Sequence, residues 1–315
     1  MKHTNIAFYL NSIRISSAKT EDKVLAKRFF PSYMRYIKYI ISSVHYIHPK
    51  TSFLLIIKLL SVAVRKKLSP NAVAFYKKGI KQNFKIEGST FCTYTYGKGP
   101  LILMLHGWCS NGARWRVYVN ELVHKGYKVM IVDAPGHGTA PGKFLSISLY
   151  AKGIKAILSS EDKWHAVITH SIASLTAITA IGNSERKHQP SKFIMMNTFS
   201  SATAILEKFS CCLGISQTVI KGSKDKMSQY VNFPITAFNI KKQFKTTHTE
   251  SLLIYDTTDR VVPKTEAEYI IHAIKPLRVL KTDGLGHNLK SKAVVNAVLN
   301  FVEFETKTQV KVKTA

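Results

Sequence analysis

The chain has 315 residues, 45% of them hydrophobic and 20% charged, a balance that supports a full buried core and excludes a disordered polymer. Lys and Arg number 46 against 18 Asp and Glu, a formal charge of +28, which favours polyanionic partners: anionic lipid, nucleic acid or an acidic carrier protein. The surplus is densest at the start, where residues 1–90 hold 17 basic and 3 acidic side chains. No Cys/His finger or aromatic RNA-binding run accompanies it, which ranks nucleic acid last of the three.

Residues 1–20 lack the apolar core and small-residue cleavage site of a secretory signal. Ile37, Ile40, Ile41, Val44 and Ile47 then recur at helical spacing among Arg35 and Lys38. Next comes FLLIIKLLSVAV, Phe53–Val64. As a helix it reaches about 18 Å, short of the roughly 30 Å hydrocarbon core of a bilayer, and Lys58 interrupts it. Residues 1–70 therefore read as a basic helical segment docked on a main domain of residues 71–315. A position in a membrane interface, lysines on the headgroups, is the alternative. His45 and His48 could share a helix face, but there is no HExxH or CxxC, and neither a metal nor a nucleotide cofactor is implied.

Beyond Pro70 the pattern changes. Asn83–Glu87 and Thr90–Tyr96 read as strands joined at Gly88-Ser89. Leu101–Leu105, Lys128–Val132, His165–Thr169, Phe193–Asn197, Ser251–Tyr255 and Leu277–Lys281 follow as short apolar runs, separated by helical stretches near 112–125, 146–159, 171–182, 263–274 and 290–305. This alternation predicts an α/β fold: a mostly parallel, doubly wound sheet covered on both faces.

The stretch from about 198 to 250 shows no strand and reads as a helical lid insertion. Ile205, Leu206, Phe209, Leu213, Ile215 and Val219 would give it an apolar ceiling, and Lys221, Lys224, Lys226, Lys241, Lys242 and Lys245 a place for an acidic headgroup or carrier. Cys92, Cys109, Cys211 and Cys212 form no spaced framework, which points to free thiols in a reducing cytoplasm, with peripheral membrane association through residues 1–70 as an option.

In such sheets ligands sit at the carboxyl ends of the strands. His106, Gly107 and Trp108 follow the first run after the hairpin, and DAPGHG (Asp133–Gly138) follows the next. WHAVITHSIASLTA turns from strand to helix at His170 and Ser171, DTTD ends in Asp259, and TDGLGH ends in His287. Ser171 is either a helix N-cap or a nucleophile held out on the turn. As a nucleophile it needs an imidazole to take its proton and a carboxylate to orient that imidazole. Asp259 fits that place, with Asp256 and Asp133 as rivals. The tetrahedral oxyanion needs N–H donors, for which Ile172 and Trp108 stand in the right places. His106 and His137 read as loop braces and His170 as packing beside the turn.

These segments resemble the α/β hydrolases. LILMLHGW resembles that family's oxyanion-loop strand and VDAPGHG its following loop. LLIYDTTDRVVP resembles its acid-bearing strand, and DGLGH its histidine loop. The likeness covers residues 82–305 and is nearest to a bacterial group of mostly uncharacterised hydrolases. It implies the α/β-hydrolase fold, Ser171 as nucleophile, Asp259 as triad acid and His287 as base. It also implies hydrolysis of a carboxylic ester or thioester through an acyl-enzyme, with no cofactor. The elbow departs from the usual G-x-S-x-G: it reads Thr169-His170-Ser171-Ile172-Ala173, and Thr169 is bulky enough to tilt the turn or narrow the pocket. That departure keeps open a second reading, a hydrolase-like binding or membrane-associated scaffold without turnover.

Overall fold

The computed structural model describes residues 36–216, 219–221 and 235–303. Two helices come first, α1 (Ile37–Ile47) and α2 (Pro49–Leu60), then α3 (Pro70–Lys77). The frame is an eight-stranded sheet of β1 (Ile80–Ile86), β2 (Ser89–Tyr96), β3 (Leu101–Leu105), β4 (Lys128–Asp133), β5 (Ala166–His170), β6 (Lys192–Met196), β7 (Glu250–Asp256) and β8 (Arg278–Thr282). Their order is β1-β2-β4-β3-β5-β6-β7-β8. β2 runs antiparallel to β1 and β4, and every other pairing is parallel. The β1–β2 turn sits one residue earlier than the sequence suggests. Ile86 pairs with Ser89, so Glu87 and Gly88 make the two-residue turn, both at positive φ.

The central strands are apolar throughout because both faces are covered. Leu101, Leu103 and Leu105 of β3 join Val167, Phe193 and Met195 in the core on one face. Ile102 and Met104 join Ile168, Ile194 and Met196 on the other. α4 (Arg116–His124), α5 (Ile147–Leu158) and α6 (Ile172–Gly182) follow β3, β4 and β5. α7 (Ala202–Cys212) and the short α8 (Ile240–Phe244) lie between β6 and β7, and α9 (Lys264–Ala273) and α10 (Lys292–Val302) complete the described chain. Side chains of α3, α4 and α10 enter the second core, those of α5, α6 and α9 the first. Every residue of α6 from Ile172 to Ile181 is buried, so this helix is apolar all round rather than amphipathic.

α1 and α2 dock on the main fold. Ile41, Phe53 and Ile56 pack against Leu206, Leu213, Ile215 and Val219. The chain beyond α2 is stitched to the segment before α5: Leu145 N–H donates to Ser61 O and Ala63 N–H to Lys143 O, both at 2.8 Å, and the Arg65 guanidinium donates to Ala140 O at 2.5 Å. Among the described residues no helix is long and apolar enough to cross a membrane.

One close approach fixes α5 on the sheet. A Cβ at Gly153 would lie 2.2 Å from Cζ of the fully buried Phe91 ring. Gly153→Ala would gain about 1 kcal/mol of helix propensity but meets an overpacking cost of about 1–3 kcal/mol. The variant should therefore melt below the parent in a thermal scan, and Phe91→Leu in the same chain should recover part of the loss.

Candidate active site

The turn between β5 and α6 has an unusual backbone. Ser171 has φ 59° and ψ −130°, outside the regions that ordinary L-residues favour. Ser69, Ser146, Ser201 and Ser291 also precede helices, and each accepts an N–H from the first turn through its hydroxyl. Ser171 makes no such bond. Its own N–H donates to Met196 O at 2.8 Å, tying the turn to the end of β6. The N-cap reading thus accounts for those four serines and not for this one.

Gly107 lets the loop after β3 pass directly over this turn. A Cβ there would stand 2.9 Å from Ser171 Cβ and 3.0 Å from His170 Nδ1. Trp108, Ser171, Ile172, Val261 and His287 all line one cavity of about 360 Å³. The N–H of Ile172 belongs to the first turn of α6, where intrahelical acceptors are lacking. His106, Gly107 and His170 stand behind the cavity wall rather than on it. Thr169 also stays off the wall. Its hydroxyl lies 2.7 Å from Ile194 O and 2.8 Å from Ser174 Oγ, so the bulk that threatened the elbow is turned into the sheet and α6.

His287 meets Asp259 directly, Nδ1 to Oδ2 at 2.7 Å, with both side chains almost wholly buried. The other oxygen of Asp259 accepts the N–H groups of Val261 and Val262 at 2.7 and 3.1 Å. Asp256, a rival acid, is occupied elsewhere. It accepts from Leu285 N–H and Gly286 N–H at 2.9 Å and from the hydroxyls of Thr258 and Thr282. Burial pushes its pKa up, but these donors outweigh burial and bring it down to about 2. Asp133, the other rival, accepts from Gly112 N–H, Tyr76 Oη, Thr139 N–H and Thr139 Oγ1. Neither touches an imidazole; both fasten loops.

One residue of this region escapes sequence reasoning. Asn197 follows β6 with φ 45°; its Nδ2 donates to Gly286 O at 3.0 Å and its Oδ1 accepts Asp256 N–H at 3.0 Å. Asn197 and Asp256 together grip the loop that carries His287. No motif announces Asn197, and its polarity at the end of an apolar strand was the single available signal.

The other histidines near the site, His106, His137 and His170, brace its loops. His106 donates from Nδ1 to Gly107 O and accepts Ala134 N–H at Nε2, and His137 donates to Pro135 O and accepts Cys109 N–H. His170 Nε2 lies 2.7 Å from His287 O, which can only accept, so Nε2 carries the proton and Nδ1 is left without a partner. Among the described residues no group of three His, Cys, Asp or Glu side chains is arranged to hold a metal ion.

The apolar residues of the 198–250 insertion divide. Ile205, Leu206 and Phe209 line the cavity, while Leu213, Ile215 and Val219 face α1 and α2. Lys241 and Lys245 border a separate depression with Glu250 and Arg278, at the amino ends of β7 and β8, away from Ser171. Lys221 and Lys242 are exposed and line neither hollow, and Lys224 and Lys226 lie outside the described residues.

Residues 98–229 match the family model described as serine aminopeptidase, S33. A pimeloyl-[acyl-carrier protein] methyl ester esterase of Aeromonas hydrophila subsp. hydrophila is 36% identical over 97 residues, 30% of this chain and 37% of that protein. Its namesake from Vibrio campbellii is 43% identical over 44 residues, 14% and 17% of the two chains. The chain thus spans 37% or less of the length of the curated relatives it matches. An esterase of Pyrococcus furiosus superposes with TM-score 0.52 at 17% identity, covering 76% of this chain and 94% of that one. The thioesterase domain from the curacin biosynthetic pathway gives 0.54 at 16%, covering 70% and 99%.

Burial lowers the pKa of His106 to about 4, against the lift from its bond to Gly107 O. Burial, then the neighbouring His106, lowers that of His137 to about 3. Burial, with Arg114 and His287 adding to it, holds His170 well below the usual value of 6.5. All three stay neutral in the fold where the unfolded chain would bind protons, so stability falls as pH drops from about 6.5 towards 4. Melting temperature should decline across that window, and His137→Gln, with nothing to protonate, should show a shallower slope.

Proposed function

We propose that this chain, which has the fold of the α/β hydrolases, hydrolyses a carboxylic ester or thioester through an acyl-enzyme on Ser171. The observation that carries the reading is the 2.7 Å contact between His287 Nδ1 and Asp259 Oδ2, on a histidine that shares its cavity with a serine held at positive φ.

In the proposed cycle His287 Nε2 takes the proton of Ser171 Oγ as that oxygen attacks the carbonyl carbon. Asp259 holds the imidazole with Nδ1–H towards itself and stabilises the imidazolium that forms. The oxyanion lies against the N–H groups of Ile172 and Trp108, where loss of one donor costs about 3 kcal/mol. The alcohol or thiol leaves with the proton from His287. Water, deprotonated by the same imidazole, then releases the acid. Epoxide opening and dehalogenation on this fold typically use an aspartate at the elbow, and this chain has Ser171 there. The pimeloyl-[acyl-carrier protein] methyl ester esterases among the relatives favour an acyl ester as substrate.

Ser171→Ala should lower kcat/KM on p-nitrophenyl esters by about 10⁶-fold and abolish labelling by a fluorophosphonate. Asp259→Asn should lower kcat by about 10⁴-fold. An unlabelled and inactive parent would instead favour the scaffold.

We further propose that the enzyme works at an anionic lipid surface. From Asp22 to Glu87 the intervening chain holds 14 Lys and Arg and no carboxylate. Within it Tyr36, Tyr39, Ile40, Tyr46 and Ile47 stand exposed on and beside α1. Aromatic and aliphatic side chains enter a headgroup region while lysines meet the phosphates. An acidic carrier protein would meet the same charge without using this stripe. The full chain should bind phosphatidylserine-containing vesicles in a salt-sensitive way and phosphatidylcholine vesicles weakly, and Ile40→Ser with Ile47→Ser should weaken the first. Binding to acyl carrier protein but to neither vesicle would assign the charge to a carrier.

A further inference from the structure

We propose that α2 is the second wall of an acyl pocket, and that Ile57 and Leu60 set the length of the chain it accepts; this rests on the esterase reading above. The cavity that holds Ser171 and His287 is lined by segments far apart in sequence. Ile147, Ile205 and Phe209 come from α5 and α7, and Ile57, Leu60 and Ser61 from α2 and its C-cap. Ile57 and Leu60 are three residues apart, so they share a helix face and act on one stretch of ligand. α2 lies outside residues 98–229, which match the family model.

The wall is fixed in place. Leu206 lines the cavity and also packs in the cluster of Ile41, Phe53 and Ile56, which makes α1, α2 and α7 one apolar unit. Directly after α2, the bond from Leu145 N–H to Ser61 O joins two residues that both line the cavity.

The lining also states what the occupant is. Among the described lining residues the titratable side chains are His287 and Lys152, and the Lys152 ammonium is paired with Glu87. A free carboxylate on the acyl end would find no unpaired cation among the described lining residues. An uncharged aliphatic chain finds a lining made mostly of Leu, Ile, Phe and other apolar side chains, with Ser61, Ser146 and Ser148 among them. At about 360 Å³ the cavity stands near the lower bound of small-molecule sites, roughly 300–1,000 Å³. That favours a medium-length acyl group over a long one.

The test compares kcat/KM on p-nitrophenyl acetate, octanoate and palmitate. The parent should prefer octanoate. Ile57→Trp and Leu60→Trp should each lower the octanoate-to-acetate ratio about 10-fold or more, the scale set by one or two methylenes in an apolar pocket. Leu60→Ala should move the ratio of palmitate to octanoate upward, a change of opposite sense that misfolding cannot produce. Val117→Ala, exposed on α4 and away from the cavity, should leave both ratios as they are. If the parent is labelled at Ser171 by a fluorophosphonate but the Trp and Ala variants keep its chain-length profile, the α2 wall is wrong and the esterase reading stands. If the parent is neither labelled nor active on any of the three esters, the esterase reading fails and takes the pocket with it.

Discussion

A serine backbone at φ 59° and ψ −130° carries a strain of about 1–3 kcal/mol, and the surrounding structure must hold it there. Three contacts do so. β5 lies between β3 and β6 in the sheet, which fixes the residues leading into the turn. Ser171 N–H is committed to Met196 O, and the fully buried α6 fixes the residues leading out. The third contact is an absence of atoms: Gly107 has no Cβ where Ser171 and His170 press closest. Because the turn is held, the hydroxyl is denied the cap bond that other serines in the chain make and is directed towards the cavity.

The histidine arrives by a different device. His287 sits on a loop between β8 and α10, and loops of that kind wander unless their backbone is bonded. Asp256 takes the N–H groups of Leu285 and Gly286, Asn197 takes Gly286 O, and His170 takes His287 O. All three grips come from the ends of parallel strands, so the register of β5, β6 and β7 is transmitted to the loop. The sheet thereby positions Ser171 and His287 together, although 116 residues separate them in sequence.

Much of this frame is legible in the sequence because parallel strands buried on both faces must be apolar runs, and Leu101–Leu105 needs nothing else to be read correctly. The hairpin is less legible. A Gly-Ser pair signals a turn, but two residues at positive φ are required, and Glu87 is not a residue that advertises one. Thr169 misleads in the other direction: as a letter in the elbow it suggests crowding, and only its rotamer reveals two hydroxyl contacts away from the cavity. The insertion misleads through its uniform apolarity. Leu213, Ile215 and Val219 look like ceiling but are the floor under α1 and α2, a surface that no local pattern can distinguish from a pocket. The role of Asn197 is set by the loop it holds, which lies 89 residues away.

Asp133, Asp256 and Asp259 each follow or end a strand of this sheet, and their chemistry is separated by hydrogen-bond demand rather than by sequence context. Asp133 receives donors on both oxygens from Tyr76, Gly112 and Thr139, and Asp256 receives them on both from the two threonines and the histidine loop. Each is saturated by its own neighbourhood. Asp259 spends one oxygen on the N–H groups of Val261 and Val262, which orients the carboxyl, and presents the other to Nδ1 of His287. A carboxylate can orient an imidazole only with an oxygen that the backbone has not already claimed. Asp259 alone among the three is bonded to the imidazole of His287, while Asp256, three residues earlier, meets the same histidine only through the loop that carries it.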